Sequence, residues 1–331
     1  MRRTNPRPLE SVMEAIRTAK SFALVSHVNP DGDTVGSVLA LRQGLLQLGR
    51  PVTLFCQDKI PDDLAFLPGA EGFRLPENIA EGEQFDLLMC VDVSDESRMG
   101  RCASLMKLAK HTAQVDHHGT NPNFCEANCV DGTATACALI VKELLERLGC
   151  TITPEIAKCL YVATCTDSGQ FSFPNTTAEA FDAMGDLMRT GFDLSGAHRK
   201  IYRERDPRQI KLLGRALNTL AFHHNGQIVS LQLTKEDMQS CNALPEHTDT
   251  IVNVGLDMAG VRMCVFARET SVPGTVKCSL RAVEPAAVDK VALAFGGGGH
   301  AQAAGCTLQM TVEEAVAAVV SLMEAELEKE E

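Results

Sequence analysis

A histidine and two aspartates lie within seven residues of one another near the start of the chain. His27, Asp31 and Asp33 belong to the stretch SHVNPDGD, residues 26–33, in which proline and glycine favour a turn. A turn of this kind can direct three donor groups to one point. Imidazole and carboxylate groups together suit divalent ions such as Mn²⁺, Mg²⁺ or Zn²⁺. The same carboxylates could instead cap a turn or a helix, and this stretch alone leaves both interpretations open.

Three further positions carry groups of the same kind. Asp92 lies near the end of an apolar run, Asp116-His117-His118 ends a second run, and Asp167 ends the helix-like segment 153–167. Buried carboxylates are costly unless they are paired or bound to metal. Five aspartates and three histidines converging on one edge would therefore need cations. The sequence predicts a two-metal centre, which suits in-line displacement at phosphorus.

A glycine-rich block, Phe295-Gly296-Gly297-Gly298-Gly299-His300, stands in the second half of the chain. Glycines allow backbone N–H groups to approach an anion closely. The block fits neither the dinucleotide-binding fingerprint, because no G-x-G-x-x-G register matches, nor a P-loop, because no Gly-Lys-Ser/Thr follows. We expect His300 to contact a phosphate, and a flexible loop without a binding role is the alternative.

Strand-like and helix-like segments alternate in the first half of the chain. Apolar runs at 22–28, 52–56, 85–93 and 113–116 predict strands, and helical spacing predicts helices at 35–48, 135–148 and 153–166. This alternation favours an α/β fold with a doubly wound parallel sheet. Ligand sites in such sheets gather at the carboxyl ends of the strands, where the candidate ligands up to His118 all lie.

The second half has a different organisation. Strands are predicted at 228–233, 261–268 and 275–281, before an amphipathic helix at 313–328, which favours a smaller α+β domain. Between the halves, residues 199–215 carry seven basic and two acidic side chains. This segment is either a solvated connector or a basic face directed at a phosphate. We expect a metal-binding domain at 1–188, a basic helical linker at 189–215 and a substrate-binding domain at 216–331, with a cleft between the two domains.

Composition limits the partners. The 331 residues suggest two domains, and a net charge of −12 disfavours a protein that grips long DNA or RNA through many phosphates. No apolar run reaches the roughly 20 residues of a membrane span, and the N-terminal residues lack the pattern of a signal peptide. The thirteen cysteines match no zinc motif. We expect them to be reduced and buried, in a cytoplasmic protein.

The sequence resembles the DHH phosphoesterase family, whose motif stands here as Asp116-His117-His118. The blocks HVNPDGD (27–33), VDVSD (91–95) and VDHHG (115–119) and the helix-end Asp167 follow in the family's order. The GGGGH block resembles the DHH-associated C-terminal domain. The likeness covers essentially the whole chain. Its length and layout are similar to members that combine oligoribonuclease and pAp phosphatase activities, whereas RecJ-type members are longer.

The resemblance implies a role for each candidate residue. The metal ligands fall into two sets that share Asp92: His27, Asp31 and Asp92 for one ion, and Asp33, Asp92, His117 and Asp167 for the other. His118 would contact the scissile phosphate, and Asp116 would orient the two histidines. The substrate would be held by a third group: Asn29, Arg281, Gly297, Gly298, Gly299 and His300. The expected ions are two Mn²⁺, with Mg²⁺ or Co²⁺ as alternatives.

We therefore expect a metal-dependent phosphodiesterase and phosphomonoesterase that uses two-metal in-line attack. Its expected substrates are short oligoribonucleotides, including pApA and pGpG, and the bisphosphate pAp. The family tends to have arginine where this chain has Gln170, but the aromatic residues that follow favour a nucleotide. An inorganic pyrophosphatase or polyphosphatase and a nucleotide-sensing module without turnover are the alternatives. A homodimer is compatible with the sequence, which does not decide the oligomeric state.

Overall fold

The chain divides into two compact units, the first ending at Glu204 and the second beginning at Arg205. The computed structural model describes residues 7–329. The division falls inside the segment 189–215 that we predict as a linker, between a helix that ends at Tyr202 and a helix that begins at Pro207.

The first unit is built on one parallel sheet with helices around it. Its elements in chain order are α1 (Glu10–Thr18), β1 (Phe22–Val25), α2 (Gly32–Gln47), β2 (Val52–Phe55), β3 (Phe73–Arg74), β4 (Phe85–Val91), β5 (Ala109–Asp116), β6 (Ala127–Val130), α3 (Cys137–Arg147), α4 (Pro154–Asp167), α5 (Ala178–Met188) and α6 (Leu194–Tyr202). The strand order is β3-β2-β1-β4-β5-β6, and every pair is parallel. The α/β fold with a doubly wound parallel sheet is confirmed.

Both faces of this sheet are covered. The larger core lies under α1 to α4 and includes the buried Leu24 and Leu39. The smaller core lies under a kinked 3₁₀ segment, Glu96–Leu108, and includes Phe55 and Phe85. Because both faces are buried, the strands are apolar runs rather than alternating ones. The strand order reverses between β1 and β4, and a crevice at the carboxyl ends of strands is expected at such a point.

Two strands and one helix are shorter than the sequence predicts, whereas α2 begins at Gly32, three residues earlier than predicted. β1 ends at Val25 rather than at residue 28, and β4 ends at Val91 rather than at residue 93. Asp92 has a positive φ of 61°, which ends the extended conformation of β4. α3 begins at Cys137 rather than at residue 135, after the loop that follows β6. The residues released from the strands form the candidate site.

The second unit contains a six-stranded mixed sheet. Its elements are α7 (Pro207–Asn218), β7 (Ala221–His223), β8 (Ile228–Leu233), α8 (Lys235–Ser240), α9 (Ile251–Leu256), β9 (Met263–Glu269), β10 (Thr275–Ala282), α10 (Asp289–Ala294), β11 (Gly298–His300), β12 (Ala303–Gln309) and α11 (Val312–Leu327). The strand order is β11-β12-β10-β9-β8-β7, with β8 and β9 parallel and the other pairs antiparallel. This agrees with the predicted α+β organisation.

The glycine block is not a loop throughout. Gly298, Gly299 and His300 form the edge strand β11, paired with β12. A Cβ at Gly297 would lie 2.1 Å from the carbonyl oxygen of Gly305, and one at Gly299 would lie 2.4 Å from that of Ala303. Glycine is therefore required at both positions by the close approach of the two backbone segments.

Two expectations from composition can be compared with the fold. All thirteen cysteines are buried and none forms a disulfide. Within residues 7–329, no helix combines the length and the apolar character needed to cross a bilayer.

Candidate active site

The two strands at the reversal of the sheet deliver the first candidate ligands. His27 comes two residues after β1, and Asp92 comes immediately after β4. Their side chains are 5% and 2% exposed. Because β1 and β4 are hydrogen-bonded neighbours, these two side chains meet at the carboxyl edge. The Nε2 atom of His27 lies 3.6 Å from Oδ2 of Asp92.

Asp31 completes the first set and also caps a helix. Its Oδ1 lies 3.5 Å from Nε2 of His27, and the same oxygen accepts hydrogen bonds from the backbone N–H groups of Asp33 and Thr34 at the start of α2. Asp31 therefore caps α2, and its position beside His27 is also compatible with metal binding. The Nδ1 atom of His27 lies 2.8 Å from the carbonyl oxygen of Val28. A carbonyl can only accept, so Nδ1 donates this hydrogen bond, and Nε2 is the nitrogen that faces the carboxylates of Asp31 and Asp92.

The second set surrounds His117. Its Nε2 lies 3.7 Å from Oδ2 of Asp33, 3.5 Å from Oδ1 of Asp92 and 3.7 Å from Oδ2 of Asp167. Two of these residues directly follow β5 and β4, and the other two lie in α2 and α4, so they come from segments that are distant in the chain. The Nδ1 of His117 donates to the carbonyl oxygen of Ala134 at 3.2 Å, which leaves Nε2 free as a ligand. Asp92 thus presents one oxygen to His27 and the other to His117.

His118 and Asp116 form a pair beside these sets. Nδ1 of His118 donates to Oδ1 of Asp116 at 2.8 Å, and Oδ2 of Asp116 accepts from Nδ2 of Asn121 at 2.7 Å. Asp116 is fully buried, whereas the side chain of His118 is 42% exposed. The hydrogen bond that His118 donates to Asp116 raises the pKa of His118. The pair holds the imidazole of His118 at the rim of the site, with its Nδ1 atom 3.7 Å from Oδ1 of Asp92.

Negative charge accumulates in the buried part of the site. Burial raises the pKa of Asp33 well above its usual value, and the charges of Asp92 and Asp167 add to the effect. Burial also raises the pKa of Asp167 to about 6, against the opposing influence of His117. Burial by itself lowers the pKa of His27, but its two carboxylate neighbours raise it to about 10. The metal-free site is therefore short of positive charge.

The donor atoms fit divalent ions. Within residues 7–329, three groups place one donor atom per residue within 4.8 Å of one another: His27, Asp31 and Asp92; Asp33, His117 and Asp167; Asp92, His117 and His118. Oδ1 of Asp92 is buried, and no atom of residues 7–329 forms a hydrogen bond with it. A buried carboxylate oxygen without a donor costs free energy unless a cation approaches it. Imidazole with carboxylates suits Mn²⁺, Mg²⁺ or Zn²⁺.

The remaining predicted residues lie outside this cluster. In the first unit, Asn29 has a positive φ of 52°, and its backbone N–H donates to Asp58 at 2.8 Å. In the second unit, Arg281 of β10 and His300 of β11 both pair in register with Ala303 of β12. Residues directly opposite one another across antiparallel strands share a face, so these two side chains lie on the same face of the sheet.

The structure adds polar residues that the sequence analysis missed. Nη2 of Arg98 lies 3.2 Å from Nδ1 of His27, and these residues are 71 positions apart in the chain. Asn175 donates to the backbone oxygen and to Oδ2 of Asp167. Ser37 donates to Asp33 at 2.9 Å. Ser37 is close in the chain to its partner, but the predicted helix 35–48 does not include Asp33, and only the observed start of α2 at Gly32 puts both residues on one helix.

Comparison with known proteins decides the family. Residues 21–164 match the model described as the DHH family, N-terminal domain, and residues 227–329 match the DHHA1 domain. The bifunctional oligoribonuclease and PAP phosphatase NrnA of Thermus thermophilus is 32% identical over 306 residues, covering 92% of this chain and 89% of its own. The chain belongs to the DHH family. The family resemblance found from the motifs is confirmed, and this DHH protein is a hydrolase of phosphate esters.

Two further proteins are similar to this DHH protein over nearly their whole length. The NrnA protein of Bacillus subtilis is 25% identical over 303 residues, which cover 89% of this chain and 92% of its own. The crystal structure of an exopolyphosphatase-related protein from Bacteroides fragilis superposes with a TM-score of 0.86 at 26% identity. That likeness covers 96% of this chain and 95% of the other.

Proposed function

We propose that this DHH phosphoesterase hydrolyses short oligoribonucleotides, including dinucleotides such as pApA and pGpG, and the bisphosphate pAp to mononucleotides. The observation that carries the proposal is the pair of histidine–carboxylate sets that share Asp92. The proposal is also supported by the similarity to two proteins named as bifunctional oligoribonucleases and PAP phosphatases. Membership of the DHH family does not specify the substrates or the number of metal ions, and both are part of this proposal.

The residues that would hold metal ions are those of the two sets. His27, Asp31 and Asp92 would bind one ion, and Asp33, Asp92, His117 and Asp167 would bind the other. Two divalent ions bound there would lower the pKa of a water molecule and neutralise charge that develops on the phosphate oxygens. We propose manganese as the ion, with magnesium or cobalt as alternatives, because the donors are imidazole nitrogens and carboxylate oxygens.

The protein's own groups would bind and orient the phosphate. His118 stands at the rim with its Nδ1 held by Asp116, and its raised pKa favours the charged imidazolium. Such a group can donate a hydrogen bond to a phosphate oxygen, and it can supply a proton to the departing nucleoside oxygen. Asp116 acts through His118 by holding the ring, and Asn121 holds Asp116.

The second unit would bind a terminal phosphate of the substrate. Arg281 and His300 lie on one face of its sheet, separated by the small Ala303. Their Cα atoms are therefore about 10 Å apart, which is two strand spacings. An arginine and a histidine at that separation can bind oxygens of one terminal phosphate. We also assign substrate contacts to Asn29 and to the backbone of Gly297, Gly298 and Gly299. A terminus bound in this way, in a chain of net charge −12, favours short substrates over long ones.

A substrate panel tests the proposal. The purified protein with Mn²⁺ would be assayed on pApA, pGpG, a pentanucleotide RNA, a long RNA, pAp and pyrophosphate, with a chelator and Asp116→Ala as controls. We expect hydrolysis of the dinucleotides, the pentanucleotide and pAp, with the long RNA left intact. Turnover of pyrophosphate alone would replace the proposal with the pyrophosphatase alternative. Nucleotide binding without any turnover would replace it with a sensing module.

A further inference from the structure

One short loop is linked to every ligand that is specific to the second metal set, directly to His117 and through neighbouring residues to Asp33 and Asp167. The loop comprises residues 131–136, between β6 and α3, and is called here the 131–136 loop. The carbonyl oxygen of Ala134 accepts from Nδ1 of His117. Immediately after the loop, the backbone N–H groups of Cys137 and Ala138 donate to Asp33 at 2.6 and 3.1 Å. Cys137 and Asp33 are 104 positions apart in the chain.

The third ligand is tied to the same loop through Asn175. Nδ2 of Asn175 lies 3.1 Å from the carbonyl oxygen of Thr135, 3.2 Å from the backbone oxygen of Asp167 and 3.4 Å from its Oδ2. In return, the hydroxyl of Thr135 donates to the carbonyl oxygen of Asn175 at 2.8 Å. Thr135 is fully buried. Asn175 therefore bridges the loop and the carboxylate of Asp167.

The loop itself is held in one conformation. Oδ1 of Asp131 accepts from the backbone N–H and the hydroxyl of Thr133 at 3.1 and 2.6 Å. Oδ2 of Asp131 pairs with Nε of Arg7 at 2.8 Å, and Arg7 is 1% exposed. Arg7 also pairs with Glu143 of α3 and with Glu179 of α5. These hydrogen bonds and ion pairs connect the loop to α3 and α5.

The loop also packs against the backbone that carries His117. A Cβ at Gly132 would lie 2.9 Å from Cα of Gly119, which follows the two histidines. In contrast, His27 and Asp31, which are specific to the first set, use other partners. In the described part of the chain, His27 contacts Val28 and Arg98 through Nδ1, and Asp31 caps α2.

We propose that the 131–136 loop is the positioning element of one metal site only, the one formed by Asp33, Asp92, His117 and Asp167. Thr135 and Asn175 are its positioning residues. This inference rests on the proposed two-metal site. It implies that the affinity for one ion can be lowered without lowering the affinity for the other, because the first set does not contact this loop.

Metal binding measured without substrate tests the inference. Mn²⁺ titration calorimetry and Mn²⁺ EPR would be applied to the full chain with Asn175→Ala, Thr135→Val and Thr135→Ser. Positioning hydrogen bonds are typically worth about 10- to 100-fold in metal affinity. We expect Asn175→Ala and Thr135→Val to weaken one of two Mn²⁺ sites by that factor. The other site should keep its affinity, and the EPR signal of a coupled ion pair should give way to that of a single ion. Thr135→Ser retains the hydroxyl and should bind both ions like the wild type.

A matched control and four outcomes make the result decisive. Asn218→Ala changes an exposed asparagine at the end of α7 and should leave both affinities unchanged. Wild-type affinity at both sites in Asn175→Ala and Thr135→Val would overturn the inference, and so would an equal loss at both sites. A wild-type protein that binds two ions but hydrolyses no nucleotide contradicts the proposed function and leaves this comparison valid. A wild-type protein that binds one ion contradicts both.

Discussion

Asp92 shows how a single residue can serve both metal sets. It follows β4 directly, adopts a positive φ and directs Oδ2 to His27 and Oδ1 to His117. A positive φ is strained for a residue other than glycine. The strain is consistent with a position where the direction of the carboxylate matters more than the local backbone energy.

The first prediction concerns Asp92. Asp92→Asn replaces the shared carboxylate by a neutral amide and should weaken the binding of both metal ions. We expect kcat/KM on pApA with Mn²⁺ to fall by at least about 10³-fold, because metal ions contribute several kcal/mol to such reactions. Asp86→Asn on the same strand is the matched control, since Asp86 pairs with Lys110 at the other end of β4. Turnover of Asp92→Asn at the wild-type rate would show that the carboxylate does not bridge.

The second prediction concerns Asp167 in the metal-free protein. Its pKa of about 6 in the folded state lies above its ordinary value of 3.8, because of burial. The folded state then binds more protons than the unfolded state between these values, so stability falls as the pH rises from about 4 to 6 and stays lower above that range. Asp167→Asn removes this loss. With a chelator present, its melting temperature should exceed that of the wild type at pH 8 and match it near pH 3.5. An equal difference at both pH values would contradict the electrostatic explanation.

At the scale of elements, the contact between α2 and α4 sets the distance between two ligands. α2 carries Asp33 in its first turn and α4 ends at Asp167. The helices approach closely at Gly36, where a Cβ would lie 2.5 Å from the carbonyl oxygen of Cys159 and 2.9 Å from Cβ of Ala163. A side chain at this position has to push the helices apart.

The third prediction follows from this contact. Gly36→Ala should lower the free energy of unfolding by about 1–3 kcal/mol through overpacking. It should also lower the affinity for Mn²⁺ at the site formed by Asp33 and Asp167. Gly185→Ala on α5 is the control, because its Cβ would meet only ordinary contacts at 3.9 Å, and alanine is the better helix former. Denaturant unfolding and metal titration measure the two effects. If Gly36→Ala were as stable as the wild type, the close contact would not limit the helix separation.

At the scale of the whole molecule, the candidate metal ligands all belong to the first unit, whereas Arg281 and His300 belong to the second. The two units have separate hydrophobic cores. Leu39 and Leu160 lie in a core of the first unit, and Leu280 and Val319 in a core of the second. The proposed metal site and the proposed terminal-phosphate site therefore belong to two units that each have their own hydrophobic core.

The fourth prediction uses this division. Mn²⁺ at about 100 times its Kd stabilises the unit that binds it by about 2.7 kcal/mol, which corresponds to a rise of about 5–10 °C in melting temperature for a domain of this size. Calorimetry should show this shift for the unfolding of the first unit only. His300→Ala should leave the Mn²⁺-dependent shift unchanged and lower the affinity for pAp. A shift in the unfolding of the second unit would place a metal ligand there.

Much of the architecture could be predicted from local patterns. The strand at Ile228–Leu233 and the helix that begins at Pro154 behind its Thr153 cap have the predicted bounds or nearly so, because apolar runs and capping residues act over a few positions. The glycine block was harder to interpret. Its pairing with β12 depends on a segment that comes later in the chain, and the glycines themselves are compatible with either a loop or a strand.

The sequence by itself determined the donor groups, their positions at the ends of strands and the family, because residue type and order are local properties. The family resemblance implied the two ligand sets, and only the tertiary structure shows which atoms of these groups approach one another. Asp92 divides its two oxygens between His27 and His117, and Asp33 accepts from the N-terminus of α3. Asn175 joins Asp167 to Thr135. These contacts depend on the packing of segments far apart in the chain, and a pattern of neighbouring residues carries no information about such distances.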